Sequence, residues 1–568
     1  MKILTGTPIS PGFAGGIAII YDFEGERRIE LPQHPISDVE IELEGHRVDD
    51  ALAQSTHELT SIEEQTNRLA ERLEATEVLS AHATIAQELA ALVRKQIASD
   101  RINAEGALNA VVQEFATRFQ QLDSNYLRER EQDVRDVGHR LLRHLLDPSL
   151  NQREPLPKGS VVVARELLPS ETIELVNSGV VAILTEFGGP LSHTAIIARS
   201  LGIPGISGIP EITSCIEAGT NVLVDGETGC IELNPSRAVE SRFWIREKLY
   251  EKRHHASVVD EQLPCITADG TTIQLLGNIG IPLEAPEITK HNLAGVGLFR
   301  TEFLFLESAK RPSLAEQVEI YSGVSKSLNN RPLTLRTFDL GSDKLPPFLQ
   351  SSRAETNSML ALRGLRFSLK EVELLNTQLK AILQVGRTAD VRILFPMVIG
   401  PDDFSLAIDA VRNATGFVGI QQRPQIGAMI ETPAALFALD EILELADFVA
   451  IGTNDLTQYM LAVDRDLAEG HNDCTAMHPA VLRAIRWIVK KARTHNCPVC
   501  VCGEEASNID FARLLIGLGI RELSLAPSRA ADVRHALRSV DCNEAKKIAS
   551  LALKCLTTSS VHELCKRF

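Results

Sequence analysis

The sequence predicts a multidomain α/β protein: a small α/β domain interrupted by an inserted α-helical bundle, followed by a (β/α)8 barrel. Three observations lead there. Residues 37–147 nearly lack Gly and Pro and are rich in Glu, Arg, Leu, Ala and Gln. On either side, in 1–21 and 156–235, short apolar runs are broken by Gly and Pro. After about residue 262, eight apolar runs alternate with helical stretches. A chain of 568 residues has room for several domains. With 44% hydrophobic and 23% charged residues, it has too much apolar surface to bury for disorder to be its main state. No run reaches the ~18–20 apolar residues that a membrane span needs. The net charge of −17 argues against non-specific binding to nucleic acid. Ten irregularly spaced cysteines do not make a disulfide framework. Pro and Gly interrupt any signal-peptide core in MKILTGTPISPGFAGGIAII, so the expected location is the cytoplasm.

Taken in order, residues 1–21 read as β structure with a turn at Ser10-Pro11-Gly12, expected to pair with the later α/β segment. In the helical stretch, Ile62, Leu69 and Leu73 are read as one face, and Val134, Val137, Leu141, Leu142 and Leu145 as another. VVVA (161–164) and VVAILT (180–185) are strand-like, SETIELVNSG (170–179) is a short helix, and NVLVDGETGCIEL (221–233) a hairpin. Residues 237–256 are charged, free of Gly and Pro, and read as a connecting helix. The eight later runs are TIQLLGN (272–278), GVGLF (295–299), LTLRTFDL (333–340), VRILFPMV (391–398), QIGAMI (425–430), FVAIGT (448–453), PVCVC (498–502) and ELSLAP (522–527). Near-continuous apolar strands separated by helices mean a parallel sheet covered on both faces, and eight of them suit a closed barrel.

The strand ends carry the chemistry. Arg300-Thr301-Glu302 follow the second run and Glu431 the fifth. Asn454-Asp455 follow the sixth and Gly503-Glu504 the seventh, while Arg336 and Asp339 are read within the third. A barrel places its active site at this end. Glu431 and Asp455 are hard oxygen ligands that suit Mg²⁺. Arg300, Arg336 and Arg465 near the same mouth would clamp a phosphoryl group. Cys502 ends a strand, where a thiol serves as acid or nucleophile or is simply buried. CPVCVC (497–502) has no second pair at zinc spacing.

A second constellation is FGGPLSHTAIIARSLGIPG (187–205). A strand runs into Gly188-Gly189, Ser192 is a plausible N-cap, and a short helix over Thr194–Leu201 ends at Gly202 and Pro204. His193 therefore stands at a helix N-terminus. There the dipole favours an anion and disfavours imidazolium, which suits a histidine that accepts a phosphoryl group.

On these residues the chain resembles the bacterial phosphotransferase-system Enzyme I family, the phosphoenolpyruvate–protein phosphotransferases. SHTAIIARSLGIP (192–204) resembles the family's phosphohistidine signature. GVGLFRTEFLF (295–305), LRTFDLGSDK (335–344), IGTNDLTQYMLAVDR (451–465), HPAVLR (478–483) and CGEEA (502–506) are similar to its phosphoenolpyruvate-site motifs, and SNYLREREQDVRDVGHRLL (124–142) to the end of its helical domain. The likeness runs from about residue 5 to 540. It implies a swivelling phosphohistidine α/β domain (1–21 plus 148–235) and a helical domain that binds the phosphocarrier HPr (22–147). A linker helix (236–261), a phosphoenolpyruvate-binding barrel of the TIM type (262–540) and a C-terminal helical segment (541–568) complete the implied order. By the same resemblance His193 carries the phosphoryl group and Cys502 protonates the enolate. Arg300, Arg336, Asn454 and Arg465 bind substrate, Glu431 and Asp455 hold Mg²⁺, and the chain is a homodimer through the barrel. His82 aligns near the family's carrier-binding surface, although a solvated helix face is the preferred reading of it.

Some positions depart from the family. Leu191 replaces the usual Thr, and Ser342 the second Gly of GGDK. ETNSMLALR (355–363) replaces an Asn-Pro-x-Leu-Gly-x-Arg loop, keeping Asn357, Leu360 and Arg363. The usual Tyr and Pro before His478 are absent, with Cys474 and Thr475 nearby. Two competing readings are another phosphoenolpyruvate-using enzyme, which would need a nucleotide-binding domain, and a feeble relay protein, which the retained site residues oppose.

Overall fold

The computed structural model describes residues 2–21, 33–69, 73–120, 125–146, 156–189, 192–306, 308, 310–341, 345–350, 362–418, 423–463 and 475–566. They form two units, Met1–Glu251 and Lys252–Phe568.

The first unit holds an eight-stranded sheet in the order β1-β8-β7-β3-β4-β5-β6-β2. Its strands are β1 (Lys2–Thr5), β2 (Thr7–Ser10), β3 (Phe13–Tyr21), β4 (Ser160–Ala164), β5 (Ala182–Thr185), β6 (Gly205–Ser207), β7 (Asn221–Asp225) and β8 (Cys230–Leu233). The central pairs β3–β4, β4–β5 and β5–β6 are parallel, and β4 is buried along its whole length, as a strand covered on both faces must be. β1 pairs antiparallel with β8 at one edge and β2 with β6 at the other, so residues 2–10 supply both edges.

Among the described residues, four helices are inserted between β3 and β4: α1 (Glu40–Leu69), α2 (Leu73–Asp100), α3 (Ala104–Gln120) and α4 (Asn125–Leu145). Val134, Val137, Leu141 and Leu145 are buried in their common core, with Leu142 packed against it. Leu69 ends α1 and Leu73 opens α2, and the side chains of Ile62, Leu69 and Leu73 lie outside the described residues. His82 also differs from the expected solvated position. Its side chain is fully buried, with Nδ1 3.9 Å from Asp136 on α4. The helical run placed it on α2, but Asp136, which it faces, belongs to another helix.

α5 (Pro169–Asn177) and α6 (His193–Ser200) flank the sheet. Ile197 of α6 packs with Ile173 of α5 and Leu59 of α1. A charged network joins the same region: Arg140, fully buried, lies 3.2 Å from Glu58 and 3.8 Å from Glu174, and His144 Nε2 is 2.9 Å from Glu58. A long helix, α7 (Arg237–Asp260), follows β8.

The second unit is a closed barrel, with all eight neighbouring pairs parallel. Its strands are β9 (Gln274–Ile279), β10 (Val296–Arg300), β11 (Leu333–Arg336), β12 (Val391–Phe395), β13 (Gln425–Ile430), β14 (Phe448–Ile451), β15 (Val499–Val501) and β16 (Glu522–Leu525). The strands are shorter than their apolar runs. β11 stops at Arg336, so Asp339 lies in the loop beyond it, and Cys502 stands one residue past β15. Leu298, Leu394, Met429, Phe448, Ala450 and Cys502 fill the barrel interior. The outer helices include α8 (Ala285–Lys290), α9 (Leu314–Ser327), α10 (Val372–Val385), α11 (Pro401–Val418), α12 (Leu439–Leu445), α13 (Thr453–Leu461), α14 (Pro479–Thr494), α15 (Ile509–Leu518) and α16 (Ala530–Arg538).

Residues 541–566 belong to the same core. α17 (Cys542–Ala552) crosses α15 so closely that a Cβ on Gly517 would stand 2.2 Å from the Ala545 carbonyl oxygen. Arg483 donates to the carbonyls of Leu553 and Cys555 at 2.9 and 3.1 Å, and Val561 and Cys565 of α18 (Thr558–Cys565) are buried.

Candidate active site

The C-terminal ends of the barrel strands gather a chain of alternating charges. Arg336 ends β11 and is buried. Its guanidinium meets Glu302 and lies 3.4 Å from Asp339. Asp339 accepts from Arg363 twice, at 3.1 and 2.9 Å, and Arg363 reaches Asp455 on α13 at 3.3 Å. The line Glu302–Arg336–Asp339–Arg363–Asp455 thus spans the mouth from β10 to β14. Burial alone would neutralise these groups. The arginines outweigh it at Asp339, whose carboxyl is held below its usual range, and the carboxylates raise both Arg336 and Arg363 against the same burial. Arg300 ends β10 and meets Glu504 at 3.2 Å at the more open rim.

Glu431 follows β13 and is 1% exposed. One oxygen accepts the Met397 N–H at 2.6 Å. Met397 holds that amide in place from the left-handed region, at φ 55°, a conformation that costs a non-glycine residue energy and therefore needs support. Its neighbour Gly364, at φ 59°, provides the room, since a Cβ there would stand 2.6 Å from the Met397 Cβ. The other oxygen of Glu431 faces Gly452, where a Cβ would come within 2.3 Å. Burial and the nearby charges of Asp455 and Asp339 push the Glu431 carboxyl up to about 8. Closely placed hard carboxylates in a buried mouth suit a divalent cation. Among the described residues no cluster of three or more His, Cys, Asp or Glu forms a complete protein cage.

Cys502 is 2% exposed. Burial first, then Glu431, push its thiol up to about 12, so it stays protonated at neutral pH. Next to it, Gly503 passes so near α13 that a Cβ would stand 1.7 Å from Thr453 Oγ1. Asn454 is fixed on the same side, its Oδ1 accepting the Glu504 N–H at 3.2 Å.

In the first unit His193 is the first residue of α6. Ser192 caps the helix, its hydroxyl oxygen accepting the Ala195 N–H at 3.3 Å. Gly188 turns the preceding loop at φ 112°. The Thr194 hydroxyl donates to the Leu167 carbonyl at 2.8 Å, and Arg199 donates to the Ile9 carbonyl at 2.8 Å, tying the short helix to the sheet.

The barrel mouth thus brings together Arg300, Arg336, Glu431, Asn454, Asp455 and Cys502. His193 belongs to the other unit. Arg465, Leu191, Ser342, Cys474 and residues 355–361 lie outside the described residues. Sequence reading kept Arg363 only as a remnant of a loop motif, yet it bridges two carboxylates at the centre of the mouth. Asp339 carried a signal, being read at the third strand, but its tie to both arginines depends on how the loop folds back. All described cysteines are free. No helix among the described residues is long and apolar enough to cross a membrane.

Three family descriptions match this chain: "PEP-utilising enzyme, N-terminal" over residues 5–130, "PEP-utilising enzyme, mobile domain" over 156–229, and "PEP-utilising enzyme, PEP-binding domain" over 254–542. The chain is 34% identical over 536 residues to a phosphoenolpyruvate-protein phosphotransferase of Enterococcus faecalis, covering 92% of this chain and 93% of that one. It is 32% identical over 570 residues to one of Bacillus subtilis (99% and 98% covered), and 30% identical over 574 residues to one of Haemophilus influenzae (100% and 99% covered).

Proposed function

The chain belongs to the phosphoenolpyruvate–protein phosphotransferases, the first enzymes of the phosphotransferase system, and from that premise we propose how its residues divide the reaction. His193 takes the phosphoryl group of phosphoenolpyruvate and passes it to a histidine of HPr, and pyruvate is released. The observation that carries this reading is the barrel mouth, where Arg300, Arg336 and Arg363 converge with Glu431 and Asp455. Arg300, Arg336, Asn454 and Arg465 bind the phosphoryl and carboxylate groups, and Glu431 and Asp455 hold Mg²⁺. When bound, the cation neutralises charge on the phosphoryl oxygens and orients them.

The His193 ring nitrogen forms a bond to phosphorus as the bond from phosphorus to the enol oxygen breaks. The electron pair leaves on enolpyruvate. Cys502, held as a thiol by burial, gives its proton to the terminal enolate carbon, and its thiolate is reprotonated from water. Trapping the enol as the ketone makes the donor strong. In this reading the swivelling domain comprises 1–21 and 148–235, and HPr docks on the helical domain, 22–147. The barrel is 262–540, reached through 236–261 and followed by 541–568. The protein works in the cytoplasm as a homodimer through its barrel.

The test is the intact mass of wild type and His193→Ala after phosphoenolpyruvate and Mg²⁺, with and without HPr. One acid-labile phosphoryl adduct is expected on wild type alone, discharged by HPr. An adduct that persists on His193→Ala removes that histidine from its role, and no adduct on wild type removes the reading itself.

A further inference from the structure

Cys502 stands one residue past both ladders of its strand, which end at Ile451–Val501 on the β14 side and at Val501–Leu523 on the β16 side. β15 pairs with β16 only at Cys500–Glu522 and Val501–Leu523. On the other side the Cys502 N–H still donates to the Ile451 carbonyl of β14, at 3.1 Å. Its own carbonyl points to the open seam, and no strand takes it. Asn278 does so instead. From β9, one strand beyond β16, its Nδ2 donates to the Cys502 carbonyl at 3.1 Å and to the Ser524 carbonyl at 3.2 Å. The amide is oriented in turn by the Ser524 hydroxyl, which donates to Oδ1 at 2.6 Å. Ser524 is fully buried, and the sequence makes space for it: a Cβ on Gly297 would stand 2.4 Å from its hydroxyl oxygen.

We propose that Asn278, oriented by Ser524, is a positioning residue that closes the β15–β16 seam and fixes the place of the Cys502 thiol. The inference rests on the reading of Cys502 as the proton donor to enolpyruvate. A proton is delivered efficiently to carbon only from a set distance and direction, and a shift of about 1 Å in such a group costs up to about a hundredfold in rate. Without the amide, the carbonyl of a buried residue loses its donor and the chain end is free to turn. Cys500 lies within the paired part of β15, matched to Ala450 of β14 as well as to Glu522 of β16, so it keeps its place when the chain past Val501 moves.

The experiment uses the full chain carrying Asn278→Leu, and Ser524→Ala as a milder second variant should the first fail to fold. Each is made with and without Cys502→Ala. Two quantities are read: alkylation of Cys502 and of Cys500 by iodoacetamide, followed by peptide mass, and single-turnover formation of pyruvate against that of phosphohistidine. Alkylation of Cys502 is expected to rise about tenfold with Cys500 unchanged. Pyruvate formation should slow about tenfold or more while phosphohistidine formation holds, and the variant should add nothing in the Cys502→Ala background. Equal exposure of both cysteines, unchanged alkylation of both, or an equal loss of rate in both backgrounds overturns the proposal. If Cys502→Ala alone leaves pyruvate formation unchanged while Cys502 alkylation still rises selectively, the proton-donor reading falls and the positioning of the thiol stands.

Discussion

One glycine does the finest work in the mouth, and it does not need its conformational freedom to do it. Gly503 has φ −74°, open to any residue, yet a methyl group there would stand 1.7 Å from Thr453 Oγ1. Gly503→Ala should therefore push the start of α13 outward and move Asn454 and Asp455 with it. The expected result is a fall of at least about tenfold in the rate of phosphohistidine formation at subsaturating Mg²⁺, with about 1–3 kcal/mol of lost stability from overpacking. Thr453→Ala in the same chain should recover part of both, as read by thermal unfolding and single-turnover mass measurements. The identity of the mouth's outer groups was legible from position alone, because Arg300, Glu431, Asn454 and Asp455 follow apolar runs. Asn278 was not. A single amide inside an apolar run carries no signal until the strand one place further round the barrel is known.

At the scale of elements, the strands were the easiest to read. An interior strand is buried on both faces, so its run is apolar, as in VVVA and the IGAMI of β13. Their ends were less legible, since LTLRTFDL stays buried after β11 has stopped pairing. Helix faces were read where the neighbours matched the period, as at Val134, Val137 and Leu141, and misread at His82, whose partner Asp136 lies on another helix. The charged join between α1, α4 and α5 was missed for the same reason. Glu58 lies between Arg140, Arg143 and His144, and these partners, outweighing burial, hold its carboxyl down to about 2. A carboxyl so depressed stabilises the native state fully above its ordinary value of 4.5, and the contribution is lost as pH falls from there towards 2. Glu58→Gln should cost about 3 kcal/mol at pH 7, since it leaves Arg140 with the more distant Glu174 alone. Urea unfolding from pH 7 down to 2 should show the two proteins converging below about 4.5.

The whole molecule is two bodies with separate cores. The barrel, with residues 541–566, has its own hydrophobic clusters, and the sheet and the inserted helices of the first unit have theirs. Calorimetry should therefore resolve two unfolding transitions. All described groups of the barrel mouth lie in Lys252–Phe568, so phosphoenolpyruvate with Mg²⁺ should raise one transition and leave the other. At a ligand concentration a hundred times Kd the gain is about 2.7 kcal/mol. Observation of a single transition, or of both moving together, would show that the units unfold as one.

The order of strands in the first sheet sets a timetable. Residues 2–10 form both edges, but their partners are Gly205–Ser207 and Cys230–Leu233. During synthesis the two segments wait on the order of ten to forty seconds for those residues to be made. For that interval they are unpaired strands on a tethered chain, among other nascent chains that carry the same segments. Lys2 and Pro8 lie within them, a charge and a missing backbone donor of the kinds that discourage strands from pairing with strangers. The features that blunt the finished edges thus also guard the unfinished ones.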